Sequence, residues 1–100
     1  MAKILVMYPH PTDKQGFKDQ HEEVHMPLVN AVEGVKNVVI HSVGETINVK
    51  QDVYLVVEIE FDNQEILQQA LSSEQWQKVQ ADVDNLMEYL TEAPSMIITE

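Results

Sequence analysis

Alternation of apolar and polar positions is clearest from Asp52 to Phe61. Val53, Leu55, Val57, Ile59 and Phe61 take one face, and Tyr54, Val56, Glu58 and Glu60 the other, so this stretch is read as a strand. Lys3 to Pro9 carries Ile4, Leu5, Val6, Met7 and Tyr8 in a row, the pattern of a strand covered on both sides. Pro9-His10-Pro11 ends it, because proline cannot donate to a sheet ladder, and Thr12 or Asp13 can cap a following helix. From about Asp13 to about Val32, Phe17, His21, Val24, Leu28 and Val32 recur at helical spacing. His25 falls at the edge of that stripe, and Pro27 predicts a kink or short break. Glu33-Gly34 closes the helix. Val35 to Val43 reads as a second strand, followed by a polar loop over residues 44–51.

After the strand ending at Phe61, Asp62-Asn63-Gln64-Glu65 has the form of a capping box, opening a helix with Ile66, Leu67, Ala70 and Leu71. Ser72-Ser73-Glu74-Gln75 opens another in the same way, with Trp76, Val79, Val83, Leu86, Met87 and Leu90 at helical spacing. Pro94 precedes a last strand, Ser95 to Thr99. The order is βαββαβ, an α+β plan of the ferredoxin-like type with a four-stranded antiparallel sheet, in a single domain over residues 1–100. Helices cover one face of such a sheet, yet the strands are apolar on both. The bare face predicts a partner, most simply a second copy about a two-fold axis, giving a homodimeric barrel with helices outside.

Composition narrows the function. Seventeen acidic residues against six lysines, with no arginine, give a formal charge of −11. No basic patch exists to neutralise phosphates, which excludes nucleic-acid binding. Without the bidentate arginine clamp, a neutral or weakly acidic ligand is expected rather than a strongly anionic one. The absence of cysteine excludes thiolate chemistry and disulfides. No apolar run reaches membrane-spanning length, and the one before Pro9 is too short for a signal peptide, so no membrane association and a cytoplasmic location are expected.

The chemistry centres on His21-Glu22-Glu23-Val24-His25. These letters spell H-E-x-x-H, the zinc-protease helix signature. Against a metal site stand the lack of an obvious third ligand and the position of Glu22 about 100° from His21, off the inward stripe. No metal and no cofactor are expected. An imidazole titrates near neutrality, so His25 in a pocket under the first helix is a candidate general base toward a carbon acid or hydroxyl, with His21 beside it. Tyr8 and Tyr54 are candidate hydrogen-bond donors to a developing oxyanion. Phe17 and Trp76 are candidate pocket walls, and His41 reaches either the pocket or the barrel interior. Each has an ordinary structural alternative, as a tethered buried polar group or as core packing.

Tyr8-Pro9, Phe17, His25-Met26-Pro27-Leu28 and Gly34-Val35, followed by residues 54–62 and Ala70-Leu71-Ser72-Ser73-Glu74, resemble the EthD family along essentially the whole chain. The resemblance implies a dimeric α+β barrel with a pocket between sheet and helices, and it matches His25 to the family histidine. His21 falls where relatives often carry an aromatic residue. The founding member is associated with degradation of ethyl tert-butyl ether. Proteins sharing the barrel include methylmuconolactone isomerases, polyketide-processing enzymes, and cofactor-free or haem-degrading monooxygenases. Three functions follow as expectations. The first is cofactor-independent isomerisation, dehydration or oxidation of a compact, mostly apolar molecule in catabolism of organic compounds. The second is a non-catalytic accessory or ligand-binding role in a degradation pathway. The third is haem handling, with Lys14, Lys18 and Lys36 as the cations available for propionates.

Overall fold

The alternation of Leu55, Val57, Ile59 and Phe61 does set the centre of the sheet. In the computed structural model, which describes residues 1–100, β1 spans Ala2–Tyr8, β2 Asn37–Ser42, β3 Leu55–Phe61 and β4 Ser95–Ile98. They form one antiparallel sheet in the order β2-β3-β1-β4. Tyr8 stands opposite Leu55 and Ile4 opposite Ile59, so their side chains share the face covered by helices. Between the strands lie α1 (Lys14–Gln20), α2 (Met26–Asn30), α3 (Gln64–Leu71) and α4 (Glu74–Leu86), with a 3₁₀ turn over Met87–Tyr89. Ile4, Phe61, Leu67 and Leu86 are wholly buried between the two layers. This is the ferredoxin-like α+β plan expected from the sequence. No helix is long and apolar enough to cross a membrane.

The caps lie one residue from their expected places. Asn63, not Asp62, accepts from the Ile66 N–H, and Ser73, not Ser72, accepts from the Trp76 N–H. In both cases the neighbour that caps is the one with extended backbone. Asp13 caps α1 through the Gly16 N–H. Gly34 ends the first helical region at φ +97, where a Cβ would come within 2.6 Å of Ile66.

The first helical region departs most from expectation. It does not break at Pro27. His21–His25 forms a π-helical turn instead, in which the Met26 N–H reaches back five residues to the His21 carbonyl. Pro27 then sits in the first turn of α2, where its missing N–H costs little. A π-turn inserts one extra residue, so every side chain beyond it is rotated by one residue, about 100°. The expected stripe of Val24 and Leu28 is accordingly replaced by His25 and Val29. Val24 is 41% exposed, whereas His25 and Val29 are buried. His25 moves from the edge of the stripe to its centre.

The second face of the sheet carries no helix. The register puts Leu5, Met7, Val39, Val56 and Ile97 on it, with Lys3, Glu58 and His41 among them. Ile97 is 47% exposed and Leu5, Met7, Val39 and Val56 are only half-buried. Lys3 reaches Glu58 at 3.4 Å, which places an ion pair among the apolar side chains of this face.

Candidate functional site

Between the covered face of the sheet and the helices lies a cavity of about 280 Å3. Its floor is strand side chains such as Val57, its walls are Met26, Val29 and Trp76, and Met96 and Gln80 stand around it. Eleven of its fifteen lining residues are hydrophobic, and no lysine, aspartate or glutamate lines it. That lining suits a small, mostly apolar molecule fixed by a few polar groups.

Those groups come from β1 and the π-turn. Tyr8 ends β1 at 2% exposure, and His21 and His25 reach in from the π-turn. The two imidazoles stack with centroids 5.6 Å apart and planes 22° from parallel. Tyr8 meets His21 edge-on at 5.2 Å, and Phe17 stacks on its other side at 5.3 Å. Phe17 thus stands behind His21 as a support rather than in the cavity wall.

Behind His25 is a residue the sequence reading did not single out. Asp82, on α4, is buried, and its Oδ2 accepts from His25 Nδ1 at 2.9 Å. Its Oδ1 accepts from Gln20 Nε2 at 3.0 Å and from Asn85 Nδ2 at 2.9 Å. Three donors on one carboxylate compensate the desolvation that would otherwise forbid it there.

The electrostatics assign the protons. Burial lowers the His25 pKa more than the hydrogen bond and charge of Asp82 raise it. The pair is therefore a neutral imidazole on a carboxylate rather than an ion pair. A carboxylate only accepts, so Nδ1 carries the hydrogen and Nε2 is bare. Nε2 has no protein partner, and His25 lines the cavity. His21 is pushed down to about 4, first by burial and then by His25, with Asp82 partly opposing. Its Nε2 is fully buried without a partner. Tyr8 is raised, chiefly by burial and also by the Asp82 charge, so its hydroxyl stays protonated and can donate.

Of the other expected residues, Trp76 lines the cavity, while Tyr54 and His41 do not. The Tyr54 ring lies 5.1 Å from His10 and 6.4 Å from Phe17, with Lys14 Nζ 5.8 Å above it. His41 stands on the open face of the sheet, half exposed, with Nε2 3.9 Å from Glu58. Strand parity explains this, since His41 pairs with Val56, whose side chain points away from the helices. At the rim of the fold, both the backbone N–H and the ring of His10 bond Asp52, which holds that carboxyl below its usual range.

The H-E-x-x-H letters do not build a metal site. Glu22 is exposed, the imidazoles stack instead of converging on a point, and no three His, Asp or Glu side chains are grouped to hold an ion. Nor do the residues fit haem. Lys14 lies over Tyr54, Lys18 is exposed, Lys36 pairs with Asp62 at 3.2 Å, and nothing cationic lines the cavity to meet a propionate.

The EthD domain matches residues 9–89 of this chain. An uncharacterised 11.0 kDa protein of the thcB–thcC intergenic region of Rhodococcus erythropolis is 26% identical over 85 residues, covering 85% of this chain and 82% of that protein. The crystal structure of an EthD family protein from Bacillus halodurans matches with a TM-score of 0.80 at 25% identity, over 100% of this chain and 97% of that one. A dimeric protein of unknown function with a ferredoxin-like fold, from Bacteroides fragilis, matches at 0.64 and 15% identity, over 99% and 94%, which shows the fold alone.

Proposed function

The chain belongs to the EthD domain family, and from that premise we propose that it binds a small, mostly apolar organic molecule under its first helical region and moves a proton on it without a cofactor. The observation that carries this reading is the buried Asp82–His25 pair, which leaves a bare Nε2 on an apolar cavity. A neutral imidazole with a fixed tautomer is a competent general base at neutral pH. Next to a carbonyl, the C–H bond breaks toward Nε2 and its electron pair moves to the carbonyl oxygen, which becomes an enolate oxygen. Tyr8 donates its hydroxyl hydrogen bond to that oxygen, where the negative charge grows. Return of the proton from Nε2 to another carbon completes an isomerisation, and return to the same carbon leaves only exchange.

Exchange therefore reports the chemistry without knowledge of the natural substrate. Small cyclic ketones in D2O, followed by proton NMR, should lose their α-hydrogens faster with the protein than without it. His25→Ala should slow that catalysis by about 100- to 10,000-fold. Equal rates for the two proteins would overturn the proton-transfer role and leave the accessory, ligand-binding role in its place.

The same reading makes the assembly a homodimer through the open sheet faces. A hydrophobic surface built on Leu5, Met7, Val56 and Ile97 is buried most simply by its own copy, and one relative of this fold is described as dimeric. Sedimentation should give twice the 11.4 kDa chain mass, and Val56→Glu should return it to one. A wild-type protein sedimenting as a single chain at micromolar concentration would remove the dimer.

A further inference from the structure

The charge distribution around the cavity carries the reading further, to the class of ligand. Resting on the proton-transfer site just described, we propose that the cavity takes an uncharged molecule bearing a weakly acidic hydroxyl, a phenol or the enol of a cyclic ketone, and rejects carboxylates of the same shape.

Three observations support it. The one formal charge at the site is the Asp82 carboxylate, behind His25, and no lysine lines the cavity to offset it. A second carboxylate brought beside it would meet like-charge repulsion in a poorly solvated space, where charges interact several times more strongly than in water. It would also find neither a cation nor the arginine that the chain lacks altogether. Next, two of the polar groups at the cavity, the Tyr8 hydroxyl and His25 Nε2, are complementary in kind. Tyr8 offers a hydrogen to an oxygen, and His25 Nε2 offers a lone pair to an O–H. A hydroxyl satisfies both, since its oxygen accepts and its hydrogen donates. A hydrocarbon leaves both unpaired, and an ammonium leaves Tyr8 without an acceptor. Finally, the lining side chains are flat or aliphatic, Trp76, Met26 and Val29 in the walls and Val57 in the floor, in a volume of about 280 Å3, which favours one compact ring over an extended chain.

The chain's single tryptophan is Trp76, in the cavity wall, so its emission reports occupancy directly. Four molecules of matched shape discriminate the classes: 4-methylphenol, 4-methylbenzoate, p-xylene and 4-methylbenzylammonium. At neutral pH, 4-methylphenol should change Trp76 emission saturably, and calorimetry should place its affinity at least about tenfold above that of p-xylene, the effect of one or two hydrogen bonds. The benzoate should give no saturable change. Tyr8→Phe should weaken the phenol several-fold and leave p-xylene unaltered. Benzoate or the ammonium binding as tightly as the phenol would overturn the proposal, as would p-xylene matching it. The result is separable from the exchange experiment. A phenol-selective protein that exchanges no α-hydrogen keeps the ligand class and loses the chemistry, and a protein that catalyses exchange but prefers benzoate does the reverse.

Discussion

Lowering the pH from 7 to 4 is expected to cost this fold about 3 kcal/mol through His21 alone. The native imidazole is held down to about 4, whereas in the unfolded chain it titrates near 6.5. Between those values the unfolded state holds a proton that the native state refuses, so stability falls as pH falls, at about 1.4 kcal/mol per pH unit. The loss begins near pH 6.5 and flattens below about pH 4, where both states are protonated. His25 is also held below its ordinary value by burial and adds to the loss in the same direction. Domains of this size have about 5 to 15 kcal/mol in all, so the effect is large. His21→Phe, facing Phe17 and Tyr8, should retain aromatic packing and abolish the His21 share. Urea unfolding at pH 7, 5 and 4 should show the wild type losing about 3 kcal/mol more than the variant. Parallel losses would show that His21 is not buried as a neutral ring.

Asp82→Asn is expected to reduce proton transfer by about 100-fold or more while leaving the protein folded and able to bind ligand. Gln20 and Asn85 both donate to Oδ1, so the amide oxygen must stay on their side. The amide nitrogen then faces His25 Nδ1. Two donors cannot pair, so His25 must shift its hydrogen to Nε2, and the base facing the cavity disappears. Nitrogen-15 NMR of the imidazole separates the tautomers directly. A wild type with the hydrogen on Nδ1 and a variant with it on Nε2 is the expected pair. An unchanged tautomer with full exchange activity would show that Asp82 has only a packing role.

Much of the architecture could be read from residue order because it rests on local rules. The alternation through Leu55, Val57, Ile59 and Phe61, the proline pair after Tyr8, and Gly34 at a positive φ each fix their element with little help from the rest of the chain. The π-turn was not readable in this way. A helical wheel assumes 3.6 residues per turn throughout, and Pro27 marks an irregularity nearby without saying that it takes the form of one extra residue over His21–His25. The whole error in the first helical region, Val24 and Leu28 in place of His25 and Val29, comes from that one residue.

Asp82 was missed for a different reason. In an acidic chain another aspartate on an amphipathic helix reads as solvated surface. It nevertheless lies only about 40° from Leu86 on the wheel, at the margin of the apolar stripe. A carboxylate so close to that stripe, in a chain with two inward histidines elsewhere, is the signal that was available. The pairing itself spans 57 positions in sequence and depends on how the π-turn aims His25. Tyr54 and His41 show the same limit, since their residue types suited a site, but Tyr54 packs near Phe17 and His10 outside the cavity and strand parity turns His41 to the open face.

The Met26-to-His21 hydrogen bond gives the first helical region a surplus link. Shorten the run by that link, for instance by excising Val24, and an uninterrupted α-spiral becomes possible from Lys14 to Asn30. His25 would then fall three positions after His21, the inward place of a regular helix, and the imidazole would keep its aim at Asp82. With Val24 present, only the surplus link carries the ring there, and a regular spiral through all the residues would turn Val24 toward Asp82 and the imidazole aside.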